Sequence, residues 1–156
     1  MSQVTIIDGG GANIASLQFA LQRLGAESDL TADPDKILAA ERVILPGVGA
    51  AADAMQKLQQ SGLADLIPQL TQPVLGICLG MQLMCNFSKE GNTEGLGIFD
   101  VEVLKFSNNV KVPQIGWNVI TNLRTGLFSK IKENEFMYSV HSYYVPICKD
   151  TIATSE

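Results

Sequence analysis

The sequence predicts an α/β fold with one doubly wound, mostly parallel sheet and helices on both faces, in three layers. Two observations lead to this. Apolar runs of strand length alternate along the chain with stretches whose apolar residues follow helical spacing. Turns that contain glycine or proline separate these runs. Ligands bind at the carboxyl ends of the strands in such sheets, so we expect a site in the loops after the first, third and fourth strands.

Element boundaries follow from the same patterns. Strands are predicted at residues 3–8, 28–31, 43–45 and 74–77, and helices at 14–24, 34–40, 50–60, 63–70 and 79–87. Asn13 and Asp33 are the predicted N-caps, Gly25 closes the first helix, and the Pro-Gly pair at 46–47 is expected to end the third strand. After residue 97 only strands and turns are predicted, with strands at 98–106, 117–121 and 136–140 and the start of one at 151–156. The chain contains no linker or repeat, so one domain is predicted over residues 1–156.

Composition excludes several classes of protein. The 156 residues are 46% hydrophobic and 17% charged, which is incompatible with disorder, collagen or a coiled coil. A net charge of -5 without a basic cluster argues against nucleic acid and anionic membrane as partners. No apolar run approaches the roughly 18 residues of a membrane span, and no secretory signal is visible. Three cysteines at irregular spacing favour a reducing cytoplasm, and no Cys/His spacing predicts a metal site, so we expect neither metal nor cofactor.

The strongest chemical signal is the segment GICLG at residues 76–80, between an apolar strand and a helix. It has the G-x-nucleophile-x-G pattern of a nucleophile elbow, with Cys78 as the nucleophile. A turn this sharp strains the backbone, so glycines are required on either side, and it presents the sulfur at a helix N-terminus that favours the thiolate. The backbone N–H of Leu79 would point toward a developing oxyanion. Cys85 is interpreted as a core residue two helical turns further on, and Cys148 lies in no motif.

Two glycine-rich turns lie at the same predicted edge. The segment PGVG at residues 46–49 follows the third strand, and it could bind a phosphate, supply a second oxyanion N–H, or be a plain turn. The oxyanion role is favoured because the loop lacks the Lys-Ser/Thr of a P-loop. The turn GGGA at 9–12 does not fit a dinucleotide fingerprint and is interpreted as a flexible turn or a contact surface.

The chain has a single histidine, His141. A cysteine nucleophile usually needs a base, so local reasoning pairs His141 with Cys78. The alternative is a hydrogen-bonded structural histidine at the end of a strand. The residues themselves leave both possibilities open.

With these residues in view, the chain resembles the class I glutamine amidotransferases, whose fold is flavodoxin-like. GICLGMQ at 76–82 looks like their nucleophile motif. The segments PGVG at 46–49, PQIGWN at 113–118 and VHSY at 140–143 narrow the resemblance to the glutaminase subunits of imidazole glycerol phosphate synthases, of histidine biosynthesis. The resemblance covers essentially the whole chain.

The resemblance implies an activity and a set of roles. Cys78 would attack the amide of glutamine and form a thioester, and the released ammonia would pass to a (β/α)₈-barrel cyclase in a heterodimer. The implied oxyanion donors are in Gly47, Val48, Gly49 and Leu79. The implied glutamine-binding residues are Gln82, Glu90, Ser142 and Tyr143. The implied partner-facing residues are Asn13, Pro113, Gln114, Ile115, Gly116, Trp117 and Asn118.

The resemblance also changes the interpretation of His141. The family's base and its orienting acid lie in a His-x-Glu segment on a C-terminal strand, and no histidine follows His141 here. His141 instead matches the family's His-Ser-Tyr segment, which borders the glutamine pocket. The expectation is therefore a domain truncated before its last strand and inactive by itself.

Two alternatives remain at this stage. One is another cysteine-elbow enzyme of the same fold, of the peptidase or deglycase kind, which typically places a carboxylate beside the cysteine. The other is a flavodoxin-like module that binds a nucleotide without catalysis. A glutamine-analogue chloroketone that labels Cys78 would favour the amidotransferase over both.

Overall fold

A computed structural model describes residues 3–10 and 13–155 of the chain. The helices are α1 (Ile14–Arg23), α2 (Pro34–Ala39), α3 (Ala51–Gln60), α4 (Leu63–Leu66) and α5 (Leu79–Leu83). The strands are β1 (Gln3–Ile7), β2 (Glu27–Thr31), β3 (Val43–Gly47), β4 (Val74–Cys78), β5 (Cys85–Ser88), β6 (Thr93–Glu94), β7 (Phe99–Lys105), β8 (Gln114–Thr121), β9 (Phe136–His141), β10 (Tyr143–Tyr144) and β11 (Thr154–Ser155). The chain divides into two compact units, residues 1–103 and 104–156.

The first unit is built on a parallel sheet of four strands in the order β2-β1-β3-β4. Its central strands are apolar and buried, as expected for a sheet covered on both faces. Residues from β1 and β3 pack with α3, α4 and α5 into one hydrophobic core, in which Ile7, Leu45, Leu58 and Leu63 are almost completely buried. The parallel sheet and helices confirm the predicted α/β class.

Helix ends in this unit follow the predicted capping chemistry. The Asn13 side chain accepts a hydrogen bond from the Ser16 N–H at the start of α1, and Asp33 accepts one from Asp35 at the start of α2. Gly25 follows the end of α1 with a φ of 73°, the left-handed conformation that glycine adopts most easily. The predicted caps are confirmed. Of the GGGA turn, Gly9 and Gly10 are described, whereas residues 11 and 12 lie outside the described part of the chain.

The prediction that Pro46 and Gly47 end the third strand is wrong. Strand β3 continues through both, with Pro46 opposite Ile77 and Gly47 opposite Cys78. On its other side β3 pairs with β1 only at Val43 and Ile44. At Pro46 the strand therefore has a partner on one side only, where a residue without an N–H can be accommodated.

The predicted helix at 79–87 is also wrong in its second half. Helix α5 ends at Leu83, and the chain then enters β5, which pairs in parallel with β7 and antiparallel with β6. A run such as Cys-Asn-Phe-Ser fits either element locally, so strand pairing decides between them. The predicted helix at 63–70 likewise divides into α4 and a 3₁₀ turn, Ile67–Gln69, that contains Pro68.

The second unit contains an antiparallel hairpin, β8 with β9, and the short strand β11 pairs with β8. Strand β8 begins three residues before the predicted strand at 117–121. Directly opposite residues of the hairpin lie on the same face, and one face carries three apolar pairs. These pairs are Ile115 with Val140, Trp117 with Tyr138, and Val119 with Phe136. All but Val119 are exposed, so this side of the hairpin is an apolar surface.

Helix α5 approaches β3 so closely that only glycine fits at residue 80. A Cβ at Gly80 would overlap the carbonyl oxygen of Leu45. We expect Gly80→Ala to lower the free energy of unfolding by about 3 kcal/mol, because an overpacked backbone contact cannot relax through a side chain. Gly126→Ala is the matched control. A Cβ there meets nothing within 4 Å, and we expect a change of about 0.5 kcal/mol or less in urea denaturation. Equal effects of the two substitutions would contradict the close approach.

Candidate active site

Cys78 occupies the junction between β4 and α5. Its φ of 54° and ψ of -117° lie in a region that residues other than glycine rarely adopt. Its side chain is exposed. This is the strained, outward-facing geometry that the elbow motif predicts for a nucleophile.

The glycines on either side of Cys78 are required because a Cβ at either position would overlap neighbouring backbone atoms. A Cβ at Gly76 would lie 2.6 Å from the Cα of Met81, so β4 and the start of α5 could not approach each other. Gly80 allows α5 to cross the carbonyl of Leu45 in β3. The prediction that glycines flank the nucleophile for steric reasons is confirmed.

The loop at residues 47–49 lies against the elbow. Gly47 is opposite Cys78 in the sheet, and a Cβ there would lie 2.7 Å from the backbone nitrogen of Gly80 and 3.0 Å from the Cβ of Leu79. Gly49 has a φ of 96°, and Val48 is 55% exposed. The loop therefore leaves the sheet beside Cys78, and its middle residue, Val48, is exposed to solvent.

Helix α5 has five residues, where the sequence predicts nine. Only a short helix therefore follows Cys78 in the chain.

The other two cysteines differ from Cys78 in exposure. Cys85 is 1% exposed, which confirms its interpretation as a core residue, but it starts β5 and does not lie on the helix of Cys78 as predicted. Cys148 is half-buried, and its N–H donates to the Thr151 hydroxyl.

Two residues with implied roles in glutamine binding lie in the first unit with Cys78. Gln82 is buried on α5, one turn after Cys78. Glu90 is half-buried in the turn between β5 and β6, and its Oε2 accepts a hydrogen bond of 3.0 Å from the backbone N–H of Ala51. Sequence reasoning missed this contact. The signal for it is the start of α3, where Ala50 and Ala51 offer no capping side chain.

The remaining implied residues of the glutamine pocket lie in the second unit. The carbonyl of Ser142 accepts from the Phe106 N–H, and the carbonyl of Tyr143 accepts from Nδ1 of His141 at 2.7 Å. The ring of His141 also packs against Phe106, with centroids 5.2 Å apart. His141 thus has the contacts of a hydrogen-bonded histidine at the end of a strand.

The implied partner-facing residues occupy both units. Asn13 is exposed at the start of α1 in the first unit. In the second unit, residues 113–118 precede and form the start of β8, so their side chains alternate between its two faces. Ile115 and Trp117 lie on the apolar face, whereas Gln114 and Asn118 share the other face and are hydrogen-bonded to each other.

Within residues 3–10 and 13–155, no group of three His, Cys, Asp or Glu side chains could hold a metal ion. None of the helices in those residues is long and apolar enough to cross a membrane.

Comparison with known proteins identifies the family. Residues 5–155 match the family described as Glutamine amidotransferase class-I. The chain belongs to this family. It is 48% identical to the imidazole glycerol phosphate synthase subunit HisH of Bacteroides fragilis, over 99% of this chain and 80% of that protein. It is 41% identical to HisH of Xanthomonas campestris pv. campestris, over the whole of this chain and 80% of that protein.

Solved structures agree with this class I glutamine amidotransferase fold. A protein from Thermoplasma acidophilum that is assigned to the GMP synthases aligns over 99% of this chain and 73% of its own length, with a TM-score of 0.70 and 21% sequence identity. Membership in this family excludes the two alternatives considered from the sequence, a peptidase or deglycase and a nucleotide-binding module.

The geometry of this amidotransferase predicts which thiol reacts first. We expect iodoacetamide to alkylate Cys78 before Cys148 under native conditions and to leave Cys85 unmodified, because the three thiols are exposed, half-buried and buried. Peptide mass spectrometry after timed quenching measures the order, and unfolding in urea should make all three react alike. Faster labelling of Cys148 than of Cys78 would contradict the elbow assignment.

Proposed function

We propose that this chain is the glutaminase subunit of an imidazole glycerol phosphate synthase, acting in histidine biosynthesis in the cytoplasm. The observation that carries the proposal is the elbow, in which Cys78 is exposed at a φ of 54° directly beside the glycine loop at 47–49. The identity of 40–48% to HisH proteins over nearly the whole chain supports the biosynthetic assignment.

The chemistry follows from the positions of these groups. The Cys78 sulfur would add to the carboxamide carbon of glutamine, and the carbonyl oxygen would become an oxyanion. The backbone N–H of Leu79 and N–H groups of Gly47, Val48 and Gly49 are the proposed donors to that oxyanion. Collapse of the intermediate would break the C–N bond, and the leaving nitrogen would take a proton and depart as ammonia. Water would then hydrolyse the thioester to glutamate and restore the thiol.

We expect the protein to recognise the amino-acid end of glutamine, which carries its charged groups. The Glu90 carboxylate suits the α-ammonium group. Gln82, which is buried on α5, is the second residue proposed to bind the amino-acid end of glutamine. Backbone groups of Ser142 and Tyr143 are the other proposed contacts to glutamine.

We expect the partner to be a cyclase of the (β/α)₈-barrel type that receives the ammonia directly. The apolar face of the β8–β9 hairpin supports a partner surface, because exposed aromatic pairs such as Trp117 and Tyr138, with ring centroids 5.4 Å apart, are typical of interfaces. Of the segment Pro113, Gln114, Ile115, Gly116, Trp117 and Asn118, we therefore expect Ile115 and Trp117 to make the apolar contacts. Asn13 is the proposed contact from the first unit.

The proposal is tested by ammonia release from glutamine in the full-length protein bound to its cyclase. Cys78→Ala should reduce ammonia release to the background rate, because it removes the attacking sulfur. Cys148→Ser is the matched control and should keep the rate of the unmodified protein, since Cys148 lies in the other unit and is not part of the proposed chemistry. Continued turnover by Cys78→Ala would overturn the proposal.

Residues 1–156 alone should show no turnover even with the cyclase added. Deprotonation of the thiol and activation of water need a base. The one histidine of these residues, His141, matches the family's His-Ser-Tyr segment, and residues 1–156 contain no His-x-Glu segment that could supply the family's base. Steady-state ammonia release that both Cys78→Ala and His141→Ala abolish would instead identify His141 as the base.

The apolar face predicts where the cyclase binds. Trp117→Ala should weaken cyclase binding by about 2 kcal/mol, roughly 30-fold in Kd, because it removes a large exposed aromatic anchor. Leu127→Ala is the matched control in the same unit, outside the hairpin strands and 58% exposed, and it should leave Kd unchanged in isothermal titration calorimetry. Equal Kd values for both variants would place the interface elsewhere.

A further inference from the structure

The start of α3 lacks a cap of its own. Its N-cap residue is Ala50, whose side chain makes no capping hydrogen bond, and Ala51 and Ala52 follow. The first N–H groups of a helix have no partner within the helix and need an acceptor from elsewhere. Because Ala51 is completely buried, water does not readily serve as that acceptor.

Glu90 supplies this acceptor from 39 residues further along the chain. Its Oε2 accepts the Ala51 N–H at 3.0 Å, in a half-buried position. A carboxylate is well suited to this place, because N–H groups that have no partner within the helix give its N-terminus a partial positive charge. No other hydrogen bond to the Glu90 carboxylate occurs within residues 3–10 and 13–155, so Oε1 is available to a ligand.

The backbone of Glu90 is itself held in place on both sides. The Ser88 hydroxyl accepts its N–H at 3.2 Å, and the Thr93 hydroxyl donates to its carbonyl at 2.8 Å. Ser88 and Thr93 are both buried. A Cβ at Gly91 would lie 3.5 Å from the Cβ of Ala52, so the turn rests on the first turn of α3.

The loop between β3 and α3 is held by contacts at its two ends. Gly47 is paired with Cys78 at one end, and Ala51 is bound by Glu90 at the other. Residues 48–50 between them are exposed, and a Cβ at Gly49 would meet nothing within 4 Å. A cavity of about 520 Å³ lies along the loop. Packing of the loop itself therefore does not determine where its N–H groups point.

We infer that Glu90 is a positioning residue for the oxyanion loop, acting through the first turn of α3. The inference rests on the proposed function, in which residues 47–49 supply oxyanion donors. Oε2 holds Ala51, and Oε1 is left for the α-ammonium group of glutamine. One carboxylate thus joins recognition of the amino-acid end of the substrate to the geometry of the loop that stabilises the transition state.

The test compares two neutral side chains of similar length at residue 90, in the full-length protein bound to its cyclase. Both Glu90→Gln and Glu90→Met remove the charge for the α-ammonium group, but only glutamine keeps an oxygen that can accept the Ala51 N–H. Both should raise KM for glutamine to a similar extent. Glu90→Met should also lower kcat about 10-fold below Glu90→Gln, because small displacements of positioned groups reduce turnover steeply.

A cap placed within α3 should restore turnover without restoring substrate recognition. Ala50 has a φ of -90° and a ψ of 139°, the extended conformation of a capping residue, so Ala50→Ser can bond to the first turn. Ala50→Ser in the Glu90→Met protein should recover kcat to within about 3-fold of Glu90→Gln and leave KM high, since the serine lies at the helix and not at the ammonium.

Two further measurements separate positioning from a loss of folding. The rate of Cys78 alkylation by iodoacetamide involves neither an oxyanion nor an ammonium, and it should be equal in both Glu90 variants. Hydrogen exchange of residues 47–54 should be faster in Glu90→Met than in Glu90→Gln, and this measurement requires no activity. Equal kcat values and equal exchange in the two variants would overturn the positioning role. A failure of the proposed function is distinguishable, because Cys78→Ala would then retain the ammonia release of the unmodified protein.

Discussion

The close approach of α5 to β3 is the constraint on which the site depends. The helix begins directly beside the carbonyl of Leu45, which is possible only because residue 80 has no Cβ. That approach forces the chain to reverse within one residue, and Cys78 takes the strained φ of 54° as a result. The pairing of β3 with β4 and the buried core that contains Leu45 and Leu79 hold this strain. The exposed and strained position of Cys78 is thus a consequence of how tightly the two elements around it are packed.

The start of α3 depends in turn on Glu90, in the turn between β5 and β6, for a hydrogen-bond acceptor. An alanine-rich helix start costs little conformational entropy but provides no cap, so a partner from elsewhere in the fold completes it. The group that caps the helix is the Glu90 carboxylate, which is also the group that we propose to bind the substrate's ammonium group.

Local chemistry explains why much of the fold was predictable. Asn13, Asp33 and Gly25 act on backbone groups within a few residues of themselves, so their capping roles follow from the sequence. The elbow is predictable for the same reason, because its glycines and its cysteine are adjacent. The wrong predictions concern segments whose secondary structure is decided by pairing with strands distant in the sequence. Pro46 remains in a strand because β1 has already ended beside it, and Cys85 starts a strand because β6 and β7 are available to pair with β5.

The sequence by itself determined the α/β class, the elbow at Cys78, the glycine loop beside it and the resemblance to glutamine amidotransferases, since each depends on residues that are neighbours in the chain. Only the tertiary structure showed that Glu90 caps α3 and that Ile115 and Trp117 share an exposed face with Tyr138. Both contacts join residues more than twenty positions apart. In the first, the start of α3 needs a hydrogen-bond acceptor that its own residues do not provide. In the second, two strands must pair before their apolar side chains form one surface. A pattern read within a short window does not contain that information, because the partner is selected when the elements pack.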